Sequence, residues 1–204
     1  MLIKPSNYDE IQVNQEFERL ELGGHKGIIK SVEEYTSAIS GNTSLKVEVD
    51  TDTNDKQPRY FQKQYDENTN PDKRWSSSGI KYVSLKQDEN CIKMLKAFIT
   101  SVENSNNSFT YDWNKEVEQL KGKKVGLVFG LEEYKNDKGE TKTATKLNQF
   151  RSIDKVDNAK IPNVKLLDGS YVDYEEYKNN ITTNNSNLFN DFADVVEITD
   201  NFLD

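Results

Sequence analysis

Two hairpin-forming stretches enclose one segment of helical periodicity, and that order constrains the fold more than any other feature of the chain. Val125, Leu127, Phe129 and Leu131 alternate with Gly126, Val128 and Gly130, a period-2 pattern that puts the larger side chains on one face of a strand. Glycine at two of the outward positions marks a bend or the close approach of another backbone. Asn136-Asp137-Lys138-Gly139 supplies a hairpin turn, and residues 141–153 the return strand. Upstream, residues 25–35 carry the strand-forming Ile28, Ile29 and Val32. Leu45, Val47 and Val49 then alternate with Lys46, Glu48 and Asp50, so these two segments form a hairpin around a loop at 37–43. Between the hairpins, Ile92, Leu95, Ile99 and Val102 recur at helical spacing, which predicts a helix over 88–103 capped by Asp88 or Asn90.

Residues 59–86 are expected to be strand-like at their start and finish, broken by Asn70-Pro71-Asp72. Trp113, Val117 and Leu120 predict a second short helix closed by Gly122. A parallel α/β sheet would need a helix between successive strands, and the hairpins argue against one. The expected fold is mainly β with minor α: a five-stranded antiparallel barrel of the OB type, with the helix between strands 3 and 4. This domain spans residues 1–156. Residues 157–187 form an extension, with a small hairpin near 166–172 and a helical turn at 173–178, followed by an asparagine-rich linker that starts at 179. Residues 188–204 form a disordered acidic-hydrophobic tail.

Composition supports a compact core with solvated segments. Hydrophobic residues are 34% and charged residues 30%, while aromatics at 10% are too many for disorder throughout. No window approaches the roughly 18 apolar residues of a membrane span, and the start MLIKPSNYDEIQ lacks the apolar core of a signal peptide. Cys91 is the only cysteine, which excludes an internal disulfide or a cysteine metal cluster, and a cytoplasmic location is expected. Cys91 is expected to be a buried, inert thiol. His25 is the only histidine, so triad catalysis and histidine-ligated zinc would all rest on one ring; it is read as a surface or structural residue. No Walker A loop or G-x-G-x-x-G fingerprint occurs. The expectation is a non-enzymatic protein with no cofactor and no metal.

Charge is uneven. The net charge is −8, but residues 1–154 carry 23 basic and 25 acidic groups, only −2. Residues 179–204 have five acids and no lysine or arginine. Against this background residues 59–86 are +3, six basic against three acidic, with five aromatics. Binders of single-stranded nucleic acid need cations along the phosphates and flat rings for unstacked bases. Arg59, Lys63, Lys73, Arg74 and Lys81 supply the first, and Tyr60, Phe61, Tyr65, Trp75 and Tyr82 the second. Lys30 and Lys46 on the preceding strands extend the groove. In the tail, Asp191, Asp194, Glu197, Asp200 and Asp204 interleave with Phe192, Ile198 and Phe202, a pattern suited to docking in a basic-rimmed apolar pocket of a partner.

Three stretches carry a resemblance: residues 16–32 (EFERLELGGHKGIIKSV), 120–134 (LKGKKVGLVFGLEEY) and 150–153 (FRSI). By these the chain resembles the single-stranded DNA-binding proteins of tailed phages that infect low-GC Gram-positive bacteria, over roughly its first 155 residues. The resemblance implies an OB-fold protein that acts in DNA replication and recombination. It would hold single strands through groove aromatics and basic residues, and recruit phage or host replication and recombination proteins through its acidic tail. Here Leu203 and Asp204 follow Phe202, a departure from tips that end on an aromatic residue or Pro-Phe. A homo-oligomer is compatible with the sequence, and no membrane partner is expected. The alternative function is an acidic protein-interaction factor, such as an inhibitor that mimics DNA. Such a mimic would need its acidity on the folded body, where the charge is only −2.

Overall fold

A computed structural model describes residues 3–4 and 18–184 of the 204-residue chain. Strands β1 (Gly23–Thr36) and β2 (Thr43–Thr51) form the first hairpin, with Gly27 opposite Thr51 at one end and Thr36 opposite Thr43 at the other. A bulge at Lys30 interrupts the pairing between Ile29 and Ser31. The period-2 pattern is realised: Leu45, Val47 and Val49 are buried, while Ser44, Lys46 and Glu48 lie on the opposite face.

Residues expected to open a third strand instead form helix α1 (Tyr60–Glu67). The end of β2 explains this. Asp50 accepts from the backbone N–H groups of Thr51 and Phe61, both at 2.9 Å, and the Thr51 hydroxyl accepts from the Tyr60 N–H at 2.9 Å. The first free N–H groups of α1 are therefore met by residues nine to eleven positions upstream, while Arg59 at the cap position holds a left-handed φ of 53° and offers no side-chain bond. The window's end is a strand as expected, β3 (Ile80–Ser84), paired antiparallel with β2.

Helix α2 (Glu89–Ser105) follows, capped by Asp88, which accepts from the Cys91 N–H at 3.0 Å. It buries Phe98, Ile99 and Val102 against the sheet. Cys91, expected to be buried, is half-buried on the first turn. A short 3-10 turn at Val117–Leu120 stands where a second helix was expected. Strands β4 (Lys124–Lys135) and β5 (Thr141–Arg151) form the second hairpin, with β4 also antiparallel to β1. Then come β6 (Val164–Lys165), β7 (Tyr171–Val172) and helix α3 (Tyr174–Asn184). Residues 179–184, read from sequence as the start of a flexible linker, are thus helical. Asp173 caps α3 by accepting from the Glu175 N–H at 2.9 Å, and Glu175 and Glu176 in its first turn suit the helix dipole.

The protein is mainly β. Its first five strands run β3-β2-β1-β4-β5, each antiparallel to its neighbour, with α2 between the third and fourth in sequence. The expected five-stranded barrel does not close. β3 and β5 share no ladder, β6 joins β4 in parallel through Lys165 opposite Glu132, and the result is an open seven-stranded mixed sheet. The cause lies ahead of β3, which is only five residues long. A 3-10 turn, Ser77–Gly79, abuts β5 where more strand would be needed, and Lys146 Nζ donates to Ser77 Oγ across that seam at 2.7 Å.

The main core lies between the sheet, α1 and α2, with Phe61, Phe98, Leu120, Leu127 and Phe129 fully buried. A second apolar layer, Val128, Val156 and Val164, sits on the other face of β4. Glycine makes that layer possible. A Cβ on Gly126 would come within 2.8 Å of the Arg151 carbonyl oxygen, and one on Gly130 within 3.2 Å of Pro162. One on Gly24 would overlap the carbonyl of Val156. The expected close backbone approach is therefore real, and residues 156–162 lie across β1 and β4. Gly24→Ala is expected to cost about 1–3 kcal/mol in a urea unfolding titration, because backbone, not a movable side chain, blocks the added methyl. An unchanged midpoint would show that the covering segment tolerates displacement.

His25 is structural and wholly buried, at 0% exposure. Its Nδ1 faces Asp55 Oδ1 at 2.8 Å and its Nε2 faces the Glu21 carbonyl at 3.1 Å. Asp55 also accepts from the N–H groups of Lys26 and Gln57, at 2.7 and 2.9 Å, which pins loop 52–57 to β1. Burial works against ionisation of Asp55, but the bonds from His25, Gln57 and Lys26 outweigh it and hold the carboxyl below its usual 3.8. A depressed carboxyl pKa contributes stability that is present above the unfolded value and lost as pH falls through the folded one. The melting temperature is therefore expected to drop below about pH 4, and Asp55→Asn should lower it at neutral pH while flattening that acid limb. An acid limb as steep in Asp55→Asn as in the parent would exclude Asp55 as its source.

Among the described residues, no helix is long and apolar enough to cross a membrane.

Candidate nucleic-acid interface

The structure divides the basic-aromatic window among three elements. On α1, Phe61 is core, 1% exposed and in ring contact with Tyr60, Trp75 and Phe129. Tyr60 is half-buried, and its hydroxyl accepts from the Leu20 N–H at 3.0 Å. Arg59 and Lys63 are exposed at the surface of this helix, and Arg74 is exposed in the loop that follows.

Four of the residues singled out from sequence do come together. Tyr65 packs on Trp75 with ring centroids 5.8 Å apart, Lys73 lies 4.5 Å over Tyr65, and Lys30 lies 5.9 Å from the Trp75 ring. The Trp75 indole N–H donates to the Val49 carbonyl at 3.0 Å, and the ring packs against the core. This cluster ties the loop to the sheet and leaves the Trp75 ring committed on its inner side. Lys46 is differently placed: Glu33 and Glu48 each hold its ammonium at 2.8 Å, so its charge is already met. Those two carboxylates raise the pKa of Lys46 well above the usual lysine value.

Lys81 and Tyr82 on β3 lead to a different surface. Between β3 and the outer half of the β4–β5 hairpin lies an open cleft of about 700 Å³. It follows the seam where the barrel fails to close. Ile80 and Tyr82 line one side, Glu132, Glu133, Tyr134, Ala144 and Lys146 the other, and Ser77 and Ser78 close one end. Tyr82 is 47% and Tyr134 45% exposed, and Tyr35, 42% exposed, packs on Tyr82 at 5.4 Å. Lys81 lies opposite Val47 in the β2–β3 ladder, on the inward face, and burial pushes its pKa down, with Glu132 attracting and Lys165 repelling its charge. Burial also lowers Lys146, partly offset by Glu132. Glu132 hydrogen-bonds Lys165. Glu133 accepts from the Tyr177 hydroxyl at 2.8 Å, and burial followed by this bond pushes that phenol up to about 12.

Such a cleft has two capabilities. A lysine that has lost part of its water, as Lys146 has, gains more from an anionic ligand than a fully solvated one does. Exposed tyrosine rings offer faces on which bases stack. Tyr35, Tyr134, Lys146 and Lys165 were not singled out from sequence. The available signal was strand length: β1 and β4 run well past their buried alternation, so Tyr35 and Tyr134 stand on hairpin ends beyond the core. A second basic surface lies between α2 and the end of β5, where Lys93, Lys96, Arg151 and Lys155 surround Phe150.

The tail residues Asp191, Phe192, Asp194, Glu197, Ile198, Asp200, Phe202 and Asp204 lie outside the described residues. Among the described residues, no group of three or more His, Cys, Asp or Glu is placed to hold a metal ion. No protein-family model matches the chain, and no curated protein is significantly similar to it.

Proposed function

We propose that this protein binds single-stranded DNA, with little regard to sequence, along the cleft between β3 and the β4–β5 hairpin, and that it catalyses no reaction. The observation that carries this reading is the cleft itself, where exposed Tyr82 and Tyr134 stand beside the partly desolvated Lys146. The strand path supports it. The order β3-β2-β1-β4-β5, with a helix between the third and fourth strands, is similar to that of OB-type barrels, which are partly open and take oligonucleotides on the face of strands 2 and 3 and on the loops 1–2 and 4–5. The cleft borders β3 and the 4–5 hairpin. The near-neutral charge of residues 1–154 favours this reading over a DNA mimic. In the same proposal the protein is phage-encoded and works in the host cytoplasm during replication or recombination, with its acidic tail recruiting partners.

The test is a fluorescence-anisotropy titration of labelled single-stranded and duplex DNA of equal length, at about 50 and 200 mM salt. Single strands are expected to bind more tightly, with affinity falling as salt rises. Equal affinity for both forms, or no binding at the lower salt, would contradict the proposal.

A further inference from the structure

Beside the cleft lies a smaller cavity of about 250 Å³, between α1 and β5. Ser78 and Ala144 line both, so the two spaces are neighbours across a single turn and strand edge. The cavity is walled by the rings of Tyr60 and Phe61 and by polar groups from Arg19, Gln64, Ser76 and Thr145. One of these is without a partner. Thr145 is 9% exposed, stands opposite Leu131 in the β4–β5 ladder on the same side of β5 as Leu147, and its Oγ1 is buried with no hydrogen bond. It is the one such side-chain atom among the described residues.

A buried hydroxyl without a partner costs free energy, commonly about 1–3 kcal/mol. Thr145 has an apolar near-isostere in valine, with the same β-branching that suits a strand. A hydroxyl here therefore serves the fold worse than a methyl would. The same cavity is lined by two aromatic residues and by Arg19 and Gln64, residue types that recognise a flat heterocycle with donors and acceptors on its edge.

We infer that this cavity receives one unpaired nucleobase from a strand lying in the adjacent cleft, with the Thr145 hydroxyl bonding the base edge. The inference rests on the single-strand reading and adds to it a base preference at one position. Backbone and stacking contacts in the cleft would tolerate any sequence; the cavity would not.

The experiment measures affinities of oligodeoxythymidylate, -adenylate, -cytidylate and -guanylate of one length for the full chain and for Thr145→Val. The parent is expected to favour one homopolymer by about 5-fold or more, as one lost hydrogen bond implies. Thr145→Val should lose that preference while keeping its affinity for the others, and should melt no lower than the parent. A Thr145→Val protein that retains the parent's ranking, or a parent that shows no ranking, would overturn the inference and leave the cleft standing. Gln64→Ala, which changes the cavity from the surface of α1, separates recognition from repacking of β5: it too should flatten the ranking, and an unaltered ranking counts against the cavity. Failure of every homopolymer to bind the parent would instead reject the single-strand reading, and the base site with it.

Discussion

Replacing Tyr82 and Tyr134 together by alanine is expected to weaken single-strand binding by about 2–6 kcal/mol, at roughly 1–3 kcal/mol for each stacked base. Even the lower figure is a loss of about 30-fold. The same double variant should melt within a degree or two of the parent. Both rings are nearly half exposed, neither belongs to the buried core, and surface replacements away from special contacts usually change stability by no more than about 0.5 kcal/mol. The combination of lost binding and kept stability separates a ligand-facing ring from a packing ring. Undiminished affinity in a folded double variant would remove these tyrosines from the interface. Trp75→Ala is expected to behave differently, because its indole N–H is bonded to Val49 and its ring packs on Phe61 and Tyr65. Its main loss should be stability.

Phe61→Ala is the second large effect. The sequence pattern offers Phe61 as a base-stacking residue, yet in the fold it is 1% exposed, in contact with Phe129, and so close under the Ser77–Gly79 turn that a Cβ on Gly79 would come within 2.9 Å of its ring. Removing it leaves a cavity at the joint between α1, that turn and β4, with an expected cost of about 3–5 kcal/mol. Against a typical total of about 5–15 kcal/mol, that is enough to unfold part of the population at physiological temperature. Urea unfolding measures it directly. A loss below about 1 kcal/mol would contradict the placement of Phe61 in the core.

The contrast between Phe61 and Tyr82 shows what the sequence could and could not convey. Period-2 alternation at Leu45–Val47–Val49 and Val125–Leu127–Phe129 identified both hairpins, and the spacing of Ile92, Leu95, Ile99 and Val102 identified α2. These patterns are local, and each reports one face of one element. The glycines at 126 and 130 also signalled close approach correctly, with the Arg151 carbonyl and the Pro162 ring as the nearest partners. Helix α1 was illegible because its first N–H groups are met by Asp50 and Thr51, not by the residue beside it. The barrel's failure to close was illegible as well. It depends on where a three-residue turn meets β5, a non-local contact that no periodicity reports. The candidate site inherits both errors. Composition marked 59–86 as basic and aromatic, but α1 turns Phe61 inward and Lys46 is held by Glu33 and Glu48. The cleft meanwhile draws Tyr134 and Lys146 from the distant second hairpin. Of the residues named from sequence, Tyr82 lines that cleft, while its neighbour Lys81 faces inward opposite Val47.

The most direct measurement is a backbone amide chemical-shift map of the full chain titrated with a short single-stranded oligonucleotide. Shifts are expected to concentrate at residues 77–82, 132–134 and 144–146, on both walls of the cleft, and to diminish with added salt. Shifts confined to residues 63–75, or to α2 and residues 150–155, would place the strand on another surface and contradict the account.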